Sequence, residues 1–237
     1  MKNNTILIKV KERLNKIDSQ DFQNIKPWQI LEAFNKYQYD WCRENSHGGN
    51  AYREGDEAST SRIDDLQILL TPQSLNMVDK GPYFESLVTD WPVNYLRHKR
   101  VELYVTKECC KTPKPMIVYL GEASNVDIYR RDDHIRPDYA WGETFGVIFG
   151  NTVKIYHDEF LVDSCSLIYY RQPRRVRSVG IQDVYDGTTP VIGEEVECEF
   201  KEDLAELFCA GAAKVLAGDD ENWQQVNRLG TDVEKNN

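Results

Sequence analysis

From Pro27 onward, the apolar residues Ile30, Phe34, Tyr37 and Trp41 recur at spacings of four, three and four. That row is one face of an amphipathic helix, with Pro27 at a first-turn position and His47-Gly48-Gly49 as its stop. At Val101 the period falls to two: Val101, Leu103 and Val105 alternate with Glu102, Tyr104 and Thr106, as in a half-buried strand. Residues 116–120 form a second run of strand length. Residues 145–172 (FGVIFGNTVKIYHDEFLVDSCSLIYYRQ) predict three consecutive antiparallel strands, with Gly150-Asn151 as a hairpin turn and Asp158-Glu159 as the second divider. From Lys201 the helical period returns through Leu204, Phe208, Gly211 and Val215, closed by Gly218. The expected class is α+β: N-terminal helices and long arms, a central antiparallel sheet, and a C-terminal helix packed on it.

Between these elements the pattern thins. Residues 1–24 are polar and lysine-rich apart from one short apolar run at 5–10, and read as a flexible N-terminal arm. Residues 25–229 read as a single α+β domain. Within it, 48–62 (GGNAYREGDEASTSR) has little to bury and reads as a loop or arm. Residues 66–96 show only brief patches, at Leu66, Leu69 and Leu70 and again from Phe84 to Trp91. After Pro173 the chain is expected to be extended. Residues 230–237 read as a disordered tail.

Composition narrows the function. Among 237 residues, 39 acidic side chains outweigh 29 basic ones, a net charge of −10, which argues against a DNA-coating protein. No apolar run reaches the ~18–20 residues of a membrane span, and MKNNTILIKVKERLNK returns to charge too soon for a secretory leader. Six scattered cysteines, without a C-x-x-C pair, suit reduced and partly buried thiols rather than a disulfide scaffold.

Candidate chemistry is sparse. Phosphate-binding, dinucleotide-binding, zinc-hydrolase and serine-hydrolase motifs are missing, so no catalytic, cofactor or metal residues are assigned and no cofactor is expected. Asp132-Asp133-His134 resembles a fragment of an acid–base site, but its setting, RRDDHIRPD, reads as a solvated loop of Arg–Asp pairs. His157 shares a strand face with Val153 and Ile155 and reads as a partly buried strand histidine. Two basic clusters stand out as partner contacts: Arg97, Lys99 and Arg100 before the first strand, and Arg171, Arg174, Arg175 and Arg177 after the last. An acidic stretch, Glu54, Asp56 and Glu57, offers a complementary edge. Tyr52, Trp141, Tyr185 and Trp223 lie where no periodic pattern explains them as core, which suits an assembly surface.

The layout resembles the head-to-tail connector rings of tailed bacteriophages, most closely those of crAss-like phages of gut Bacteroidetes. Four stretches carry the resemblance: WQILEAFNKYQYDWCRENSHGG followed by STSRIDDLQILL; WPVNYLRHKRVELYV; VDSCSLIYYRQPRRV; and FKEDLAELFCAGAAKVLAGDDENWQQVNRL. Together they span roughly residues 27–229. The resemblance implies a non-enzymatic virion protein of the neck, made in the bacterial host cytoplasm. It would form a homo-oligomeric, dodecameric ring that stacks on the portal or a neighbouring ring. Genomic DNA would pass through its channel without specific binding, and no membrane is involved. The alternatives are another tail or head-completion structural protein, or a hydrolase with a dispersed site at Asp132, Asp133 and His134. Cys109-Cys110 and the Pro113/Pro115 pair have no counterpart in the resemblance.

Overall fold

Ile6, Val10 and Leu14 stand four residues apart, so on a helix they fall in one row, and all three are buried. The computed structural model describes residues 1–14, 25–46, 65–108, 110–181 and 194–219. Its α-helices include α1 (Asn3–Leu14), α2 (Pro27–Ser46), the single-turn α3 (Val126–Tyr129) and α4 (Glu202–Asp219). The α+β class holds. Of the expected arm over 1–24, residues 3–14 instead form α1, whose lysines point outward from a narrow apolar row that is packed, and residues 15–24 lie outside the described residues. The predicted loop at 48–62 and the tail at 230–237 lie outside the described residues.

Where the sequence reading expects one domain over 25–229, contacts gather into two compact units. A sheet unit comprises Leu69–Arg171, and a helical unit draws on the chain before and after it. In the helical unit α4 packs on α1 and α2. Phe208 is central, with the rings of Phe200, Trp41 and Phe34 edge-on at 5.3, 5.5 and 5.9 Å. The bare backbone at Gly211 is occupied by the ring of Tyr37, which would lie 2.3 Å from an added Cβ. Glu206 of α4 pairs with both Lys9 and Arg13 of α1.

The sheet unit has eight strands: β1 (Leu70–Leu75), β2 (Met77–Asp79), β3 (Tyr83–Ser86), β4 (Tyr95–Lys107), β5 (Cys110–Gly121), β6 (Glu143–Phe149), β7 (Thr152–Tyr156) and β8 (Leu161–Arg171). They are ordered β1-β8-β4-β5-β6-β7-β3-β2, and every pair is antiparallel except β5–β6. Gly150, at φ +59°, makes the β6–β7 hairpin turn as expected. The expectation of three antiparallel neighbours in a row is half met. β8 leaves β7 and inserts between β1 and β4, because its buried Cys165, Leu167 and Tyr169 face the same core as Val101, Leu103 and Val105. β7 stands four places from β8 in the order yet shares that cluster through Val153 and Ile155, so the sheet curls over its inner face.

The parallel β5–β6 pair requires a crossover, supplied by residues 122–142. Val126, Tyr129 and Ile135 of that crossover cover a second cluster of Phe145, Val147 and Tyr156. It leaves much of the outer face of β4 and β5 uncovered.

Candidate functional site

The two basic clusters serve different structures. Arg97 and Arg171 come together on the paired strands β4 and β8, where Arg97 stands opposite Tyr170 and Tyr95 opposite Arg171. Lys99 and Arg100 are exposed, and Arg100 pairs with Glu102 on its own strand. Arg174, Arg175 and Arg177 belong to the helical unit, in an extended segment held by buried amides. Asn35 bonds both sides of Val176, donating to its carbonyl at 3.0 Å and accepting its N–H at 2.8 Å. Gln38 donates to the carbonyl of Arg174 at 3.2 Å, and Asn3 donates to that of Arg177 at 2.7 Å. Arg177 and Val196 exchange backbone hydrogen bonds at 3.1 and 2.9 Å. Arg175 forms a 2.6 Å ion pair with Glu32 of α2 and is thereby part of the fold. Arg174 is the outward member, its side chain 73% exposed and 4.0 Å from Glu199. Its proposed acidic counterpart, Glu54, Asp56 and Glu57, lies outside the described residues.

Asn3, Asn35 and Gln38 were not singled out by the apolar periodicity, since amides carry no pattern of their own. Their signal is an interruption: Asn35 and Gln38 sit three apart on the buried face of α2, between Phe34 and Trp41. Polar residues in such a row must find partners, and an irregular backbone segment supplies them.

Asp132, Asp133 and His134 occupy an exposed turn. The Asp132 carboxylate accepts the backbone N–H of His134 at 2.9 Å, and Asp133 pairs with Arg136 at 2.9 Å with its side chain 77% exposed. His157 is largely enclosed, its ring 4.3 Å from that of Phe84 and 5.9 Å from that of Phe160. Its Nε2 lies 3.7 Å from the carboxylate of Asp79. Burial pushes the Cys165 thiol up to about 12 and the Cys209 thiol up to about 11, where neither is a thiolate nucleophile at neutral pH. Cys42 and Cys198 are also buried, and Cys110 is exposed. Among the described residues no three His, Cys, Asp or Glu side chains gather as metal ligands, and no helix is long and apolar enough to cross a membrane.

The surface that stands out is apolar. On β5, Met116, Val118 and Leu120 face the inner core, so Pro115, Ile117 and Tyr119 face outward. Tyr104 of β4 stands opposite Pro115 and shares that face. Tyr104, Ile117 and Tyr119 are 43%, 57% and 44% exposed. The N–H of Ile117 donates to the carbonyl of Gly142 at 2.8 Å, which brings alongside the loop carrying Trp141, 82% exposed. Glu102 stands opposite Ile117, and Glu143 accepts the Tyr119 hydroxyl at 3.4 Å, giving the patch a polar rim. No protein-family model and no curated protein matches the chain.

Proposed function

We propose that this chain is a structural protein of the tailed-phage neck: the subunit of a homo-oligomeric head-to-tail connector ring that stacks on the portal or an adjacent ring and continues the DNA channel. The observation that supports it best is the exposed face of Tyr104, Ile117 and Tyr119 beside Trp141. Contiguous exposed aromatic and aliphatic groups with a polar rim are what an assembly surface presents to a neighbour. Closure of a ring requires two different surfaces per subunit, and outward Arg174 on the helical unit offers a second, chemically distinct one. The net charge of −10 suits a channel wall past which DNA slides without being held.

Electron microscopy and mass measurement of the purified full chain, and of the chain with a portal protein, test this reading. The expected result is closed rings with cyclic symmetry, dodecameric as the resemblance implies. A monomer in every mixture would overturn it.

A further inference from the structure

Within the sheet unit, β4 and β5 pair along only part of their length. Their ladder runs from Glu102 opposite Ile117 to Lys107 opposite Cys110. On the other side of Glu102, toward Tyr95, β4 stays with β8, whereas β5 continues beside β6 to Gly121. The cause is local. Register shifts between His98 and Arg100 and between Tyr95 and Arg97 each put one extra residue into β4. Such bulges bend a strand and end its pairing, and they gather at the rims of curled sheets. The two strands therefore part inside the sheet. A cleft of about 550 Å³ lies where they separate, with His98 on one side and Leu120, Gly121 and Glu122 on the other. That volume is within the roughly 300–1,000 Å³ typical of ligand sites.

What the separation leaves open is backbone. The Ile117 N–H donates to Gly142, on the β6 side. By strand alternation the N–H and C=O of Leu120, three residues on, point to the side that β4 has left. Leu120 is half-buried and lines the cleft, and neither group has a partner among the described residues. A strand edge with an unpaired N–H and C=O is a template for another strand. The side-chain lining agrees. Leu120 and Ile148, which pack against the inner core, give the cleft an apolar floor. No lysine or arginine lines it, so a phosphate or a nucleic-acid backbone would find no fixed cation there. We propose that this cleft binds an extended peptide segment of a partner protein by strand addition to β5. The segment runs antiparallel to β5, as β4 does where the two pair. Its residue opposite Leu120 exchanges two main-chain hydrogen bonds with it and rests an apolar side chain on Leu120 and Ile148.

The test uses the full chain and a fluorescent, N-acetylated, C-amidated Gly-Ser-Thr-Val-Thr-Val-Thr-Ser-Gly peptide in anisotropy titrations. Its valines fall on one face of a strand, matching the apolar floor, and it carries no charge. Saturable binding is expected, weakened at least tenfold when the valine nitrogens are methylated, which removes the N–H offered to Leu120. Methylating the central threonine nitrogen, which faces away from β5, should leave binding nearly unchanged. Ile148→Trp, which fills the cleft, should also weaken binding at least tenfold, with circular dichroism checking the fold; should this variant unfold, the methylated peptides alone decide. Absence of binding, or binding indifferent to valine methylation or to a folded Ile148→Trp, would overturn the proposal. So would self-association of the chain that Ile148→Trp abolishes while the peptide fails to bind, which would make a second copy the occupant. Because the readout is peptide binding, it stands or falls separately from ring formation.

Discussion

Asn35 illustrates how much one buried side chain decides in the helical unit. Its amide closes two hydrogen bonds to Val176, whose backbone has no strand beside it at that point. Asn35→Ala would leave an N–H and a carbonyl buried and unmet, at about 1–3 kcal/mol each. A loss of roughly 2–4 kcal/mol is therefore expected in urea denaturation, after some relaxation and water entry. Asn35→Asp should lose at least as much at neutral pH, since its carboxylate is buried without a cation and its second oxygen faces the Val176 carbonyl to which the amide donated. His98 gives the protein a pH response. Its pKa is lowered by burial and then by the nearby Arg97 guanidinium, while the unfolded chain keeps the ordinary value of 6.5. With the folded value depressed, its contribution to stability is full above pH 6.5. That contribution is lost as pH falls toward the folded value, because the unfolded state takes up the proton first. The wild-type urea midpoint should therefore drop more between pH 7.5 and 5.5 than that of His98→Asn. Equal drops would assign the acid sensitivity to other groups.

The strength of the local period decides which elements the sequence reveals. α2, α4 and the middle of β4 have long, regular apolar spacings backed by Pro27, Gly218 and strict alternation, and each appears where its pattern begins. α1 is hidden because its apolar row is one residue wide among lysines, and only α4 packing against it makes the row meaningful. β1, β2 and β3 run to 6, 3 and 4 residues and carry too few alternations to register. The place of β8 is set by distant partners, which no local window contains. Pro113 and Pro115, without meaning in the sequence alone, acquire one in β5. The N–H of Ile117 points away from β4, so the nitrogen of Pro115, two residues earlier, points the same way. β6 accompanies β5 only from Ile117 onward. Pro113 lies beside the register shift between Val105 and Lys107. Prolines are placed at edges and bulges where they withhold a donor from a foreign strand. Pro113→Thr with Pro115→Thr should leave the fold intact and raise concentration-dependent self-association in sedimentation velocity. Unchanged sedimentation would mean that the prolines do not guard this edge.

At the scale of the whole molecule, the outer face of the sheet and its own core set opposite demands on β5. Met116, Val118 and Leu120 hold the strand to the curled sheet, so changes at Ile117 leave the inner packing alone. Ile117 is more than half exposed and Trp141 more so, hence replacing them costs the isolated chain little, within about 0.5 kcal/mol for surface sites. In an assembly the same groups would be desolvated against a neighbour, and central aromatic and aliphatic anchors there are worth about 2 kcal/mol or more each. A lysine in place of Ile117 adds a buried, unpaired charge to that loss. Ile117→Lys with Trp141→Ser is therefore expected to leave circular dichroism and the urea midpoint near those of the parent. Rings should be abolished, or reduced at least tenfold, in electron micrographs and sedimentation. Arg174→Glu tests the second surface by the same measurements, without disturbing the Arg175–Glu32 pair, and its effect should shrink as salt rises, since an exposed charge is screened. If the Ile117 and Trp141 double variant forms rings as readily as the parent, the apolar face is not the subunit contact. If only the Arg174 variant fails, and fails most at low salt, the contact runs through the helical unit instead.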